Sequence, residues 1–417
     1  MSILSFSIVT ELWCDRKVNR MKLLLVHGHM KQPVSDDILY ALGKLGYETA
    51  EYHEVWETTV LNDAQIEGLV SYIMENKIDF LISVYFIMNA AMAAFKTNIR
   101  YISIIWDAPY VGIYNPLGRL NNVWISSFDK LERERYLEKG IKHVLYQPLS
   151  VNQDLTEEWN RDIQDALQGN YIHDISFVGR LYDKNTYDEC IEMIPDVMRY
   201  YFNSIFEEAA CKWDGINRVY GTTTNEIWKY IEVISPEFKL VNRMDIEDAR
   251  CFEMTCIVKK IANIERVAVL NMLAEEYSVA LYTDSESAKT VLRNVELQPP
   301  VIMGKAAGMV YAGSKINLNI SLKGMEGGTP LRIMDIMAAG GFVLSSYCSE
   351  TAELFEEDKE IVMFKTPEEL VEKVNYYLGH DRERKQIAEA GHKKVITCYT
   401  YEKKLKQLME WVIGSDK

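Results

Sequence analysis

Ser314-Lys-Ile-Asn-Leu-Asn-Ile-Ser-Leu-Lys323, running on into Gly324-Met-Glu-Gly-Gly-Thr-Pro-Leu-Arg-Ile-Met-Asp-Ile-Met-Ala-Ala-Gly-Gly341, is the stretch on which the fold turns. It reads as a strand, a glycine-rich loop, a short helix and a glycine turn. Gly341-Phe-Val-Leu-Ser-Ser346 then supplies another strand. A helix between two apolar strands is the unit of a parallel sheet. Gly327, Gly328 and Thr329 precede Pro330, which suits the first position of a helix. Free amides at a helix start, reinforced by the helix dipole, attract an anion. Arg332 adds a permanent positive charge, and Asp335, three residues on, shares its helical face. An acid placed there can accept two ribose hydroxyls while the loop holds phosphates. An ordinary capped strand-to-helix loop would use the same residues, so both readings stand at this level.

The same alternation extends in both directions. Toward the amino terminus, Lys22-Leu-Leu-Leu-Val-His27 is an apolar run of the kind found in strands buried on both faces. Ser35 to Leu45 has helical spacing, and Gly46 fits its stop. Further strands are expected at Tyr47–His53, Asp79–Val84, Tyr101–Trp106, Val123–Ser127 and His143–Tyr146, with a helix at Asp63–Asn76. Pro148 and the polar stretch Asn152–Gly169 read as a linker. A second unit begins near Ile172, with strands at Ile175–Gly179, Ser278–Thr283, Ile316–Leu322 and Gly341–Ser346. Residues of about 185–271 read as a helical insertion, whose Tyr200, Tyr201 and the aromatics around Trp213 read as core, with a ligand-facing patch as the other reading. Thr366-Pro-Glu-Glu369 is a capping box. The last helix, about Thr400–Ile413, carries Tyr401, Leu405, Leu408, Met409 and Val412 on one stripe. The expectation is therefore an α/β protein with two Rossmann-like, doubly wound domains. They comprise residues 21–150 and 171–398, preceded by an extension over 1–20 and followed by a terminal helix over 399–417.

Composition narrows the function. The 417 residues carry 46 Lys and Arg against 61 Asp and Glu, a net charge of −15. Non-specific nucleic-acid binding runs on Lys and Arg replacing counterions, so no nucleic-acid partner is expected. No run approaches the ~20 apolar residues of a membrane span. The seven cysteines are odd in number and scattered, which argues against a disulfide framework; Cys251 and Cys256 form the only close pair. With no leader peptide recognisable over Met1–Arg20, a cytoplasmic location is expected.

The chain also resembles the CgeB-type spore maturation proteins, a glycosyltransferase-like family of GT-B fold. The resemblance rests on Ser314–Asn319, Gly328–Arg332, Met334-Asp335 and Gly340–Phe342. It continues through Glu360–Phe364, Tyr376–Leu378, Ile387–Gly391, Ile264–Arg266, Tyr282-Thr283 and Phe177–Gly179. Trp106-Asp-Ala-Pro109, Phe128-Asp129 and Tyr146–Leu149 resemble the amino-terminal domain usually paired with that motif. The resemblance implies two domains facing a cleft, with the acceptor held by the first domain and a nucleotide-sugar donor by the second. It also implies a terminal helix that packs back on the first domain. A UDP-sugar is the leading donor expectation; the acceptor is an unknown protein, glycan or small molecule. Under this resemblance Asp335 binds the ribose, and Thr329, Arg332 and Lys315 hold the diphosphate with Gly328. Gly179 and Arg180 line the opposite side, and Tyr282 packs the base. The Glu-x7-Glu spacing of retaining enzymes is not matched, because eight residues separate Glu326 from Asp335.

Departure of a diphosphate from an anomeric carbon needs positive charge at the leaving group. No Asp-x-Asp occurs in the chain, so transfer without a metal and without a resident cofactor is expected. Two candidates could activate the acceptor hydroxyl. Asp107 follows a strand and precedes a proline turn; a turn aspartate bonding nearby amides is the competing reading. His29, in Val26-His-Gly-His-Met30, follows the first strand, in the loop where inverting GT-B enzymes keep a catalytic histidine; an exposed loop residue is the competing reading. A nucleotide-sugar 2-epimerase and a non-catalytic spore- or envelope-associated sugar-nucleotide-binding protein are the alternative functions.

Overall fold

A computed structural model describes residues 21–28, 31–53, 60–234 and 247–414. The extension over 1–20 and His29 lie outside the described residues. The chain divides into two compact units. One comprises the described residues up to Gln147 together with those from Thr400 onward; the other runs from Pro148 to Tyr399.

The first unit is built on β1 (Lys22–His27), β2 (Glu48–His53), β3 (Phe80–Val84), β4 (Arg100–Ile104), β5 (Val123–Ser127) and β6 (Val144–Tyr146). They form one sheet in the order β2-β1-β3-β4-β5-β6, parallel throughout. Every residue of β3 and of β5 is buried, as continuous apolar runs require when helices cover both faces. Asn62 starts the helix Asp63–Asn76 by accepting from the Gln65 amide at 3.1 Å. The last helix, Tyr401–Gly414, belongs to this unit. Its Tyr401, Leu405, Leu408, Met409 and Val412 share one core with Leu23, Leu25, Phe80, Ile82, Ile104 and Trp124. Arg100 Nη1 donates to the Val412 carbonyl at 2.7 Å, and Trp411 meets Trp124 edge-on at 4.7 Å. At about 1.5–3 kcal/mol per buried large side chain, that stripe contributes on the order of 10 kcal/mol.

The second unit carries β7 (His173–Val178), β8 (Val279–Tyr282), β9 (Glu296–Gln298), β10 (Ser314–Asn319), β11 (Val343–Ser346) and β12 (Val362–Phe364). The order is β12-β11-β10-β7-β8-β9, again all parallel. Strand order reverses between β7 and β10, so the crevice beyond their carboxyl ends is the topological switch point. Thr366 caps the helix Pro367–Gly379 as the sequence signals, accepting from the Glu369 amide at 3.2 Å.

Three local expectations fail. Residues read as a linker form the helix Gln153–Leu167, capped by Asn152. Its Ile163 and Leu167 are buried and Trp159 packs against Gly304, so a mostly polar sequence hides a sufficient apolar stripe. Pro330 is the residue before the helix Leu331–Ala338 rather than its first member. Within the insertion Tyr200 is 77% exposed, whereas Trp213 is buried. The insertion has a core of its own, in which Phe202, Phe206, Trp228, Phe252 and Ile261 meet. Cys251 and Cys256 are buried thiols.

Candidate functional site

Arg332 organises the switch point. It sits in the first turn of the helix Leu331–Ala338, and its side chain reaches across the ends of both flanking strands. Nε donates to the Val178 carbonyl at the end of β7, and Nη1 to Asn319 Oδ1 at the end of β10, each at 2.8 Å. The guanidinium lies 4.9 Å from the Phe177 ring centroid. Gly179 permits this approach: a Cβ there would stand 2.7 Å from Arg332 Nη2. Asn319, fully buried, is itself oriented by donating to Ser345 Oγ at 2.9 Å and Ser321 Oγ at 3.0 Å.

Arg266 stands beside it, on the helix Val258–Leu273. Its Nη1 donates to the Arg180 carbonyl at 2.5 Å and Nη2 to the Ile320 carbonyl at 2.9 Å. It lies 5.2 Å from the Phe177 ring and 4.7 Å from that of Tyr182. Burial lowers its pKa to about 10, and the charge of Arg332 pushes the same way. Neither guanidinium has a carboxylate within ion-pair distance among the described residues. A buried Arg266 and a half-buried Arg332, both held by neutral acceptors, cost desolvation energy that an arriving anion offsets. Sequence reasoning assigned Arg266 and Asn319 no role, although both lie inside quoted motifs. The available signal was an arginine on the buried stripe of an apolar helix.

The remaining sequence candidates divide. Gly328 and Thr329 are buried in the loop before the Arg332 helix. The Thr329 hydroxyl is 3.1 Å from that of Thr351, so this side chain ties the loop to the fold. Asp335 is half-buried one turn after Arg332. Its charge is felt by the buried Tyr311 hydroxyl, whose pKa is raised first by burial and then by Asp335. Arg180 is largely exposed, with Nε 3.1 Å and Nη2 2.9 Å from Asp284 Oδ2, so its charge is already matched.

Two assignments are not brought to the site. Lys315 is the second residue of β10, at the amino end of the sheet, where Nζ pairs with Asp174 at 2.6 Å. From there to Asn319 is about 13 Å of strand at 3.3 Å per residue. Tyr282 ends β8, but its hydroxyl is 2.8 Å from His173 Nε2 at the start of β7. Its ring therefore leans back along the sheet instead of projecting beyond the strand ends. Glu326 lines a small cavity of about 80 Å³ with Ser321, Lys323 and Ser346.

In the first unit Asp107 is exposed beyond β4, and Oδ2 accepts from the Tyr85 hydroxyl at 2.5 Å. Tyr85 follows β3 with φ of 63° and stacks on Tyr110 at 5.3 Å. Burial is the main cause, and the Asp107 charge the next, of a Tyr85 pKa well above the ordinary range, so Tyr85 stays a donor to that carboxylate.

Two parallel sheets with this strand order define the GT-B fold, and solved structures bear it out. Sucrose-phosphate synthase from Thermosynechococcus elongatus is similar at 9% identity over 95% of this chain and 100% of that one, with a TM-score of 0.55. Anabaena HepE in complex with UDP and glucose gives 10% identity, coverages of 94% and 100%, and a TM-score of 0.54. A glycosyltransferase from Rickettsia africae gives 10%, 95%, 99% and 0.50. More particularly, residues 271–410, which include the Arg332 helix, match a family model described as glycosyl transferase-like. No curated protein matches the chain. No helix among the described residues is long and apolar enough to cross a membrane.

Proposed function

We propose that the protein is a glycosyltransferase of the CgeB type, transferring a sugar from a nucleotide-sugar, a UDP-sugar first among them, to an acceptor bound by the first unit. The observation that carries this reading is the uncompensated Arg332 guanidinium at the β7/β10 switch point, with Arg266 behind it and Gly179 beneath it. A diphosphate against Arg332 and the amides of Gly328 and Thr329 supplies the missing negative charge. Asp335, on the same helix one turn on, takes the ribose hydroxyls in this reading. Positive charge fixed before the reaction stabilises the diphosphate as the anomeric bond breaks. These cations do the work that a metal does elsewhere, and the chain contains no Asp-x-Asp to hold one at the donor. Nucleotide-sugars are cytoplasmic metabolites, and a cytoplasmic location accompanies this reading.

Asp107 is the candidate base for the acceptor hydroxyl. The Tyr85 hydrogen bond holds its carboxylate in place and leaves one oxygen outside that contact. The test is incubation with UDP-sugars while following UDP release, in parallel with calorimetry of UDP binding in EDTA and in Mg²⁺. UDP affinity is expected to be equal in the two buffers. Asp107→Asn is expected to leave it unchanged and to cut turnover by about 10²–10⁴-fold, the span of general-base catalysis. Full turnover in Asp107→Asn with its loss in His29→Ala transfers the role to His29. A sugar that is altered while still attached to UDP identifies an epimerase. Binding without either reaction identifies a non-catalytic protein.

A further inference from the structure

At the carboxyl edge of the first sheet, two histidines and a glutamate converge. His27 ends β1 and His53 ends β2, and they are direct partners in the parallel register. Glu51 lies two residues before His53, so its side chain leaves the same face of the sheet. The consequence is a three-residue cluster whose ligand atoms all lie within 4.8 Å of one another. His27 Nε2 is 2.9 Å from Glu51 Oε2, and His53 Nε2 is 3.4 Å from the same oxygen. The two imidazoles stack at 4.4 Å and 14°, which turns both Nε2 atoms toward that oxygen.

We propose that His27, Glu51 and His53 form a binding site for Zn²⁺, with a fourth position open to water. Bonds of about 2.0–2.1 Å from zinc to nitrogen or oxygen, at tetrahedral angles, place neighbouring ligand atoms roughly 3.3 Å apart. The observed 2.9 Å and 3.4 Å are separations of that kind, so little rearrangement is needed. Imidazole and carboxylate are also the donors that zinc takes, and three protein ligands with one open position are a recurrent zinc arrangement. The site already attracts a cation: Lys31 Nζ stands 2.9 Å from Glu51 Oε2. Lys31 is also 2.6 Å from Asp36, and keeps that partner when a metal takes its place on Glu51. Binding is balanced in protons: each Nε2 offers its lone pair to the metal, and a neutral ring carries its one proton on Nδ1. Burial fixes His27 as the anchor, while the 57% exposed His53 side chain gives the ion its way in.

Equilibrium dialysis of the whole protein against Zn²⁺ at neutral pH tests this, together with the visible absorption of Co²⁺ used in its place. One zinc per chain is expected, with a Co²⁺ spectrum of low coordination number. His53→Ala, at an exposed position, and Glu51→Gln should each weaken Zn²⁺ binding at least tenfold while circular dichroism stays unchanged. The idea is overturned if no zinc binds. It is equally overturned if zinc binds with the same affinity in both variants, which would place the ion on cysteines.

Discussion

The two ends of the second sheet make opposite offers. The amino end has the larger cavity, about 400 Å³, lined among others by Lys315, Arg384, Lys385, Tyr171 and His392. Its cations are already matched: Lys315 by Asp174 at 2.6 Å, Lys385 by Asp381 at 2.8 Å, and Arg384 by Asp381 as well. A cavity at the carboxyl end measures about 80 Å³, yet that end holds Arg332 and Arg266 against neutral acceptors. Space and charge thus point to different ends of the same strands. Topology decides between them, because parallel strands direct their crossover loops and helix starts to the carboxyl edge. Between these two cavities, volume alone would choose the end where every named cation is satisfied.

Three substitutions test that contrast. Arg332→Ala removes a charge-assisted contact and should weaken UDP binding by about 1.5–3 kcal/mol, roughly 10- to 150-fold, measured by calorimetry. Unchanged affinity would take the diphosphate away from the switch point. Gly179→Ala should have a smaller effect of the same sign. The new Cβ, 2.7 Å from Nη2, displaces the end of the Arg332 side chain, and at a φ of 159° it also strains the backbone. An off-rotamer shift of that kind costs about 0.5–1.5 kcal/mol, and the loss should show in affinity as well as in a lowered melting temperature. Lys315→Ala should have the smallest effect, none on UDP affinity and at most about 1 kcal/mol on stability, since its ion pair with Asp174 is half exposed. A tenfold loss of UDP affinity in that variant would reverse the assignment of the two ends.

Much of the fold was legible because buried parallel strands leave an unambiguous trace. Lys22–His27 and Val123–Ser127 are apolar runs that the structure uses as β1 and β5 over the same residues. What escaped was short or disguised. Glu296–Gln298 is a three-residue edge strand with two polar members, too brief to show a period. Gln153–Leu167 satisfies one face with few apolar residues and looks like linker elsewhere. The site was legible in composition and not in direction. Ser314–Arg332 reads as one motif, but a strand has two ends, and the motif begins at the wrong one for Lys315. Arg266 was hidden for a different reason: it lies 66 positions before Arg332 in the chain, and only the fold places both against Phe177.

The return of the last helix to the first unit has a consequence for synthesis. A ribosome delivers β1 to β6 early, yet the core they share lacks Tyr401, Leu405, Leu408, Met409 and Val412 until the chain is almost complete. At about 5–20 residues per second, the roughly 250 intervening residues impose a wait of about 12–50 s. Whole domains typically hold only about 5–15 kcal/mol of net stability, comparable with what that stripe contributes. The nascent first unit must therefore stay incomplete while the second unit, whose strands lie wholly within the intervening stretch, is free to close. The usual amino-to-carboxyl order of folding is inverted, and a stop codon just before Thr400 would release a chain whose damage lies in its earliest-made strands.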